Sequence, residues 1–330
     1  MLKIGIIGRA DNCGLGILTQ EFYDHLKPKK TILLFNRKYK YYPDRYPEGE
    51  CLDKKEFSDE KVREFLNGLD LVIAFETPYN WNTFDIATEM GVKSILIPMY
   101  EYLKDKAPKP DLYICPSLLD YDVINGSKVF LNIPGNREKL KKRKISNIKN
   151  ILFNIGHGGR YERNNVEETL NALSKLKENV KLTINSQVPI EYSNSNIKVL
   201  EGDIVNYQDL YKEGDIFIMV TKFNGLCLPI QEAMSCGMPV ISSDVYPNNT
   251  FLPKDLLVKP YKQDKLMLYR KIDRYYFNQD DIFNKINEVI NWSPKQINYY
   301  SNLMDKYAES ISWKNMLPKY LKVFENLCKE

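Results

Sequence analysis

Two short runs of apolar residues, Ile216–Val220 and Pro239–Ser242, flank one helical stretch that begins close to Pro229. Both runs are of strand length, the first free of breakers, and strands of this kind are buried on both faces of a parallel sheet. Proline is tolerated in the first turn of a helix, because the amide there has no intrahelical acceptor. The segment therefore reads as strand–helix–strand. A chain carrying it is steered toward a doubly wound α/β fold.

The same alternation runs through the chain. Strands are expected at Leu2–Ile7, Thr31–Phe35, Leu71–Phe75, Lys93–Ile97, Leu112–Cys115 and Lys128–Leu131. Helices fall between them, near Leu15–Leu26, Asp59–Asn67, Asn82–Met90 and Ser117–Ile124. The tyrosine-rich stretch Arg37–Glu50 reads as a long connection. Pro134-Gly135-Asn136 interrupts the pattern, and the charge run Arg137–Lys144 reads as a solvated linker. A second alternation starts at Ile148, with a helix near Val166–Leu176, strands near Val180–Asn185 and Ile197–Leu200, and a helix near Tyr207–Tyr211. From Asp280 the tail is helical, broken at Ser293-Pro294, with helices around Gln296–Glu309 and Trp313–Leu327. At 330 residues, two domains are the natural division, here 1–145 and 146–330.

Composition excludes several classes. The six cysteines form no C-x-x-C pair and there are two histidines, so a His/Cys zinc site is not expected. A net charge of +4 calls for no nucleic acid and permits at most peripheral contact with an acidic membrane surface. No apolar run is long enough to span a bilayer, and Met1 leads straight into a strand-like segment without a signal-peptide core. A cytoplasmic protein with reduced thiols is the expectation. A nicotinamide cofactor is disfavoured, because the glycine pattern after the first strand lacks its third member at Thr19. The second strand ends in Asn36-Arg37 where a ribose-binding acid would stand. No cofactor is expected.

In an open parallel sheet, ligands sit beyond the carboxyl ends of the strands. A helix start placed there offers amides and the positive end of a dipole to a phosphate. Glu232, one or two turns into the helix, could accept hydrogen bonds from a ribose diol. The layout is that of a nucleotide pocket.

Gly225, Leu228, Pro229, Glu232, Ala233, Met234, Cys236, Gly237, Pro239, Val240 and Ile241 also match the donor motif of GT-B glycosyltransferases. The chain resembles the large retaining family with a Glu-x7-Glu pair. The first acidic position of that pair is Asn224 here, and the second small loop position is Cys227. The resemblance implies two Rossmann-like domains facing across a cleft, with a C-terminal helix returning to the first. It implies a nucleotide-diphosphate sugar as donor, held by Asn224, Gly225, Leu226, Cys227, Leu228 and Glu232, with Glu232 on the ribose. Position 224 faces the transferred sugar in that family.

The resemblance also gives meaning to two glycine loops and two carboxylates. After the first strand of the second half stand Gly156, His157, Arg160 and Arg163. Either arginine could neutralise the diphosphate, and an arginine fork suits a phosphate well. His157 could donate to a phosphate or sugar hydroxyl. Gly14 and Gly16 follow the first strand of the chain and would allow close approach to the donor, or simply make a tight turn. Glu76 and Glu101 end strands of the first half; Glu101 is the preferred candidate for a catalytic base. Asp120-Tyr121-Asp122 spells a metal-binding D-x-D, but on a helix its two carboxylates point to different faces. His25 reads as a surface residue.

The expected activity is transfer of a sugar to a hydroxyl of a glycan, lipid-linked glycan or other acceptor, retaining and metal-independent. The alternatives are a non-catalytic GT-B-like nucleotide-sugar or glycan-binding protein, favoured by Asn224, and a GT-B-shaped nucleotide-sugar epimerase.

Overall fold

A computed structural model describes residues 2–35, 40–157, 163–176, 180–190, 197–204 and 206–329. The chain divides into two compact units. The first holds Met1–Pro134, Leu268–Arg270 and Trp313–Glu330, and the second Gly135–Met267 and Lys271–Ser312.

The first unit is built on β1 (Ile4–Gly8), α1 (Gly14–Leu26), β2 (Lys30–Phe35), β3 (Gly49–Asp53), α2 (Asp59–Leu66) and β4 (Leu71–Glu76). It continues with α3 (Thr83–Glu89), β5 (Lys93–Pro98), β6 (Leu112–Cys115), α4 (Leu118–Val123) and β7 (Lys128–Phe130). The strands form one parallel sheet in the order β3-β2-β1-β4-β5-β6-β7. The apolar runs became its interior strands, buried along most of their length. Where Arg37–Glu50 was expected to be connection alone, its end enters β3, an exposed edge strand. An edge strand needs no apolar run, so its sequence carries no periodic signal.

The second unit is built on β8 (Asn150–Gly156), α5 (Val166–Ser174), β9 (Lys181–Ser186), β10 (Ile197–Glu201) and β11 (Ile216–Met219). It continues with α6 (Leu228–Ser235), β12 (Val240–Ser243) and β13 (Leu257–Val258). Its parallel sheet runs β10-β9-β8-β11-β12-β13, with Phe217 of β11 registered against Leu152 on one side and Val240 on the other. An antiparallel hairpin, β14 (Lys262–Met267) and β15 (Lys271–Tyr276), is appended. Its charged strands were not anticipated; the bidentate pair Arg274–Asp264 (2.9 and 2.7 Å) fastens them together.

Helices α7 (Gln279–Ile290), α8 (Pro294–Ser310) and α9 (Trp313–Leu327) complete the chain. The break expected at Ser293-Pro294 is a capping box: Ser293 accepts from the Gln296 amide, and the Gln296 side chain accepts from the Ser293 amide at 3.0 Å. Helix α9 belongs to the first unit, as the resemblance implied. There Trp313 and Tyr320 meet the ring of Phe22 edge-on, and the Trp313 indole donates to Glu21 at 3.1 Å. His25, expected at the surface, instead stacks flat on Trp313 at 3.9 Å. Each sheet is doubly wound, and the pair of Rossmann-like units with this helical tail is a GT-B architecture.

The basic run Arg137–Lys144 is not a solvated linker. Arg137 donates to the Ser235 carbonyl and pairs with Asp305, Lys142 reaches Asn302 at 2.6 Å, and Arg143 donates to the carbonyls of Lys212 and Gly214. Unsatisfied carbonyls at the end of α6 and in the turn before β11 attract these cations, which fastens the run to the second unit. No helix among the described residues is long and apolar enough to cross a membrane.

Candidate nucleotide-sugar site

In the second unit the chain winds outward from β8 through β9 to β10, then returns to lay β11 on the other side of β8. The carboxyl ends of β8 and β11 thus form the topological switch point, where loops diverge and leave a crevice. Both glycine-bearing loops of interest start there.

The loop after β8 opens with Gly156 in the left-handed region at φ 53° and with His157, which is half-buried. Arg160 lies outside the described residues. At Arg163 the guanidinium carbon sits 5.0 Å from the centre of the Phe223 ring, and its carbonyl accepts the Lys222 amide at 2.7 Å. Asn164 is buried and donates to the Ile155 carbonyl at 2.8 Å, which anchors the far end of the loop against β8.

After β11 the chain passes through Thr221, Lys222, Phe223 and Asn224, all buried, to Gly225, Leu226 and Cys227. Lys222 is 5% exposed; its ammonium lies 3.6 Å from a carboxylate oxygen of Glu168 in the first turn of α5 and 5.6 Å from the Tyr276 ring centre. Asn224 is 6% exposed. Helix α6 then starts at Leu228, with Pro229 in its first turn and no side-chain cap from Cys227. Burial pushes the Cys227 thiol up to about 12, so it is protonated at neutral pH and is not a nucleophile.

Glu232 follows one turn into α6 and is half-buried. Its Oε2 accepts a hydrogen bond from the hydroxyl of Tyr211, whose own side chain is fully buried at the end of the 3-10 turn Tyr207–Tyr211. Gly156, His157 and Arg163 thus stand at or after the end of β8, and Asn224, Gly225, Leu226, Cys227, Leu228 and Glu232 after the end of β11, the two strands that flank the switch point. Sequence reading passed over Lys222 and Tyr211. The first looked like loop, and the second lay in a stretch legible only as helix.

The remaining candidates belong to the first unit. Gly14 opens α1 and Gly16 packs on the turn before it: a methyl on Gly16 would stand 2.7 Å from the Asp11 carbonyl carbon. In that turn Asp11 pairs with Arg9 and accepts from the Cys13 amide at 3.1 Å. Glu76 ends β4, beside β1 at this sheet's own switch point, with φ 63°. Glu101 sits in the 3-10 turn Tyr100–Tyr102 after β5, an interior strand, and is fully buried.

Asp120, half of the D-x-D, is also fully buried. It accepts from the Tyr100 amide at 2.9 Å and from the Ser117 hydroxyl, while Ser117 caps α4. Burial, with the Glu101 charge adding to it, pushes its carboxyl up to about 7. Its partner Asp122 is exposed, so the pair shares no face. Among the described residues no group of three or more His, Cys, Asp or Glu could hold a metal ion.

The profile of the family described as "Glycosyl transferases group 1" matches residues 150–275, which span both switch-point loops and α6. No curated protein sequence matches the chain. Among solved structures, HepE of Anabaena, in complex with UDP and glucose, is similar with a TM-score of 0.74 at 11% identity, covering 99% of this chain and 100% of that one. Sucrose-phosphate synthase of Thermosynechococcus elongatus has a TM-score of 0.72 at 12% identity, covering 99% of both chains. A glycosyltransferase of Rickettsia africae has a TM-score of 0.70 at 14% identity, covering 99% of this chain and 98% of that one. At such identities the likeness is one of fold.

Proposed function

We propose that this protein is a glycosyltransferase that takes a nucleotide-diphosphate sugar as donor and moves the sugar to a hydroxyl of a glycan or other acceptor, with retention. One observation carries the reading. Helix α6, with no side-chain cap at its start and a half-buried Glu232, follows β11, and Arg163 follows β8; these two strands flank the switch point of the unit that the family profile matches.

Each part has a task. Glu232 receives the ribose hydroxyls. Amides of the Gly225–Leu228 segment, the dipole of α6 and Arg163, with Arg160 as a further candidate, meet the negative charge that grows on the diphosphate as the glycosidic bond breaks. His157 and Asn224 are assigned to the sugar and its phosphate. If the reaction retains configuration, the leaving phosphate can take the acceptor proton, and Glu101 is then not required as a base. HepE, with UDP and glucose in its complex, supports a pyrimidine nucleotide sugar as the first donor to try.

A second reading, a binding protein that transfers nothing, is favoured by Asn224, a neutral amide where the resembled family has its first glutamate. Incubation with UDP-, GDP- and dTDP-sugars, following nucleotide release and sugar transfer to an acceptor panel, tests the proposal. Release or transfer supports it. Tight binding without either supports the second reading. A folded protein that binds none of them sinks both.

A further inference from the structure

The contact between Tyr211 and Glu232 carries a further inference, which rests on the nucleotide-sugar reading above. Tyr211 is 1% exposed, wedged beside Phe217 with ring centres 6.1 Å apart. Its only polar atom, the hydroxyl, donates to Glu232 Oε2. Burial, followed by the Glu232 charge, holds the phenol well above its ordinary pKa, so it keeps its proton and can donate it to the carboxylate. A carboxylate offers about four acceptor sites on two oxygens. A rigid donor on one oxygen fixes the plane of the group and still leaves it capacity for ligand hydroxyls.

We propose that Tyr211 is a positioning residue: it holds the Glu232 carboxylate in the plane needed to accept both hydroxyls of a ribose, and so sets a preference for ribonucleotides over 2′-deoxyribonucleotides. A side chain on a helix surface has several rotamers of similar energy, and a hydrogen bond to a charged group selects one. Without it Glu232 still attracts a hydroxyl but loses the constraint that this donor places on the plane of its carboxylate.

The test compares wild type, Tyr211→Phe, Glu232→Ala and the double variant in calorimetric titrations with UDP, GDP and their 2′-deoxy counterparts. Wild type is expected to bind one ribonucleotide about tenfold or more tightly over its deoxy form, the range of a hydrogen bond to a charged group. Tyr211→Phe, which keeps the ring and its packing, is expected to lose most of that preference while its affinity for the deoxy form stays within about twofold. In the Glu232→Ala background, where no acceptor is left for the phenol, the same change is expected to add nothing, as required of a residue acting through Glu232. Equal weakening of ribo and deoxy forms, or full discrimination in Tyr211→Phe, overturns the positioning role and leaves the nucleotide reading standing. Binding of no nucleotide by folded wild type overturns both.

Discussion

The backbone amide of Lys222 donates to the carbonyl of Arg163 at 2.7 Å, so the loops leaving β8 and β11 are tied together where the sheet reverses its winding. One loop brings an arginine, and the other leads through Asn224 into α6. Their common edge brings two separate glycine-bearing stretches of sequence side by side.

From this follows the first prediction. Arg163→Met should lower affinity for UDP or GDP by about tenfold to a hundredfold, as loss of a charge-assisted hydrogen bond does. Affinity for the bare nucleoside should stay unchanged. Titrations with nucleoside and nucleoside diphosphate side by side separate the outcomes; equal losses for both ligands would count against a diphosphate contact.

Asn224 is buried in the loop between β11 and α6, eight residues before Glu232. Asn224→Ala is predicted to weaken a nucleotide sugar by about fivefold to tenfold relative to the same nucleotide without sugar, the value of one neutral hydrogen bond. Competition between the two ligands measures it. An identical loss for both would remove Asn224 from the sugar.

Gly16 tests the turn after β1. An added methyl meets backbone of Asp11, which cannot step aside, so Gly16→Ala should destabilise by about 1–3 kcal/mol in urea unfolding. Gly135→Ala is the control, since its nearest atoms stand at 3.5 and 4.0 Å. Comparable effects at the two positions would contradict the crowding.

Asp120 should write a pH dependence into stability. Its carboxyl is raised from 3.8 to about 7 by burial, so the fold favours the protonated form. Its contribution is complete below the unfolded value, shrinks as pH rises through the window from 3.8 to about 7, and is flat above it. Asp120→Asn can still accept from Tyr100 and turn its amide toward Ser117. We predict a flatter melting-temperature profile across that window, with the largest relative gain near neutral pH. An unchanged slope would show that Asp120 does not titrate there.

The cysteines should divide by accessibility. All six are free; Cys51 is exposed, Cys115 and Cys236 are buried, and burial pushes Cys115 and Cys227 up to about 12. Iodoacetamide at pH 8 should label Cys51 first by peptide mass mapping, with Cys115, Cys227 and Cys236 protected until the protein unfolds. Early modification of Cys227 would mean that its loop opens readily.

The sequence by itself determined the parallel sheets, because a strand buried on both faces must be written as an apolar run, as in Ile216–Met219 and Leu71–Phe75. It determined the start of α8, since Ser293, Pro294 and Gln296 write a cap locally. It also placed Glu232 in a helix that follows such a strand. What it could not write were features whose causes lie far along the chain. Edge strand β3 and the hairpin β14–β15 are held by backbone pairing and cross-strand charge, which leave no periodic trace. His25 stacks on Trp313, and Arg137, Lys142 and Arg143 find carbonyls and side chains that only folding brings within reach. Only the tertiary structure decided that Tyr211 holds Glu232, because a hydrogen bond spanning 21 residues depends on how a turn and a helix pack over one sheet.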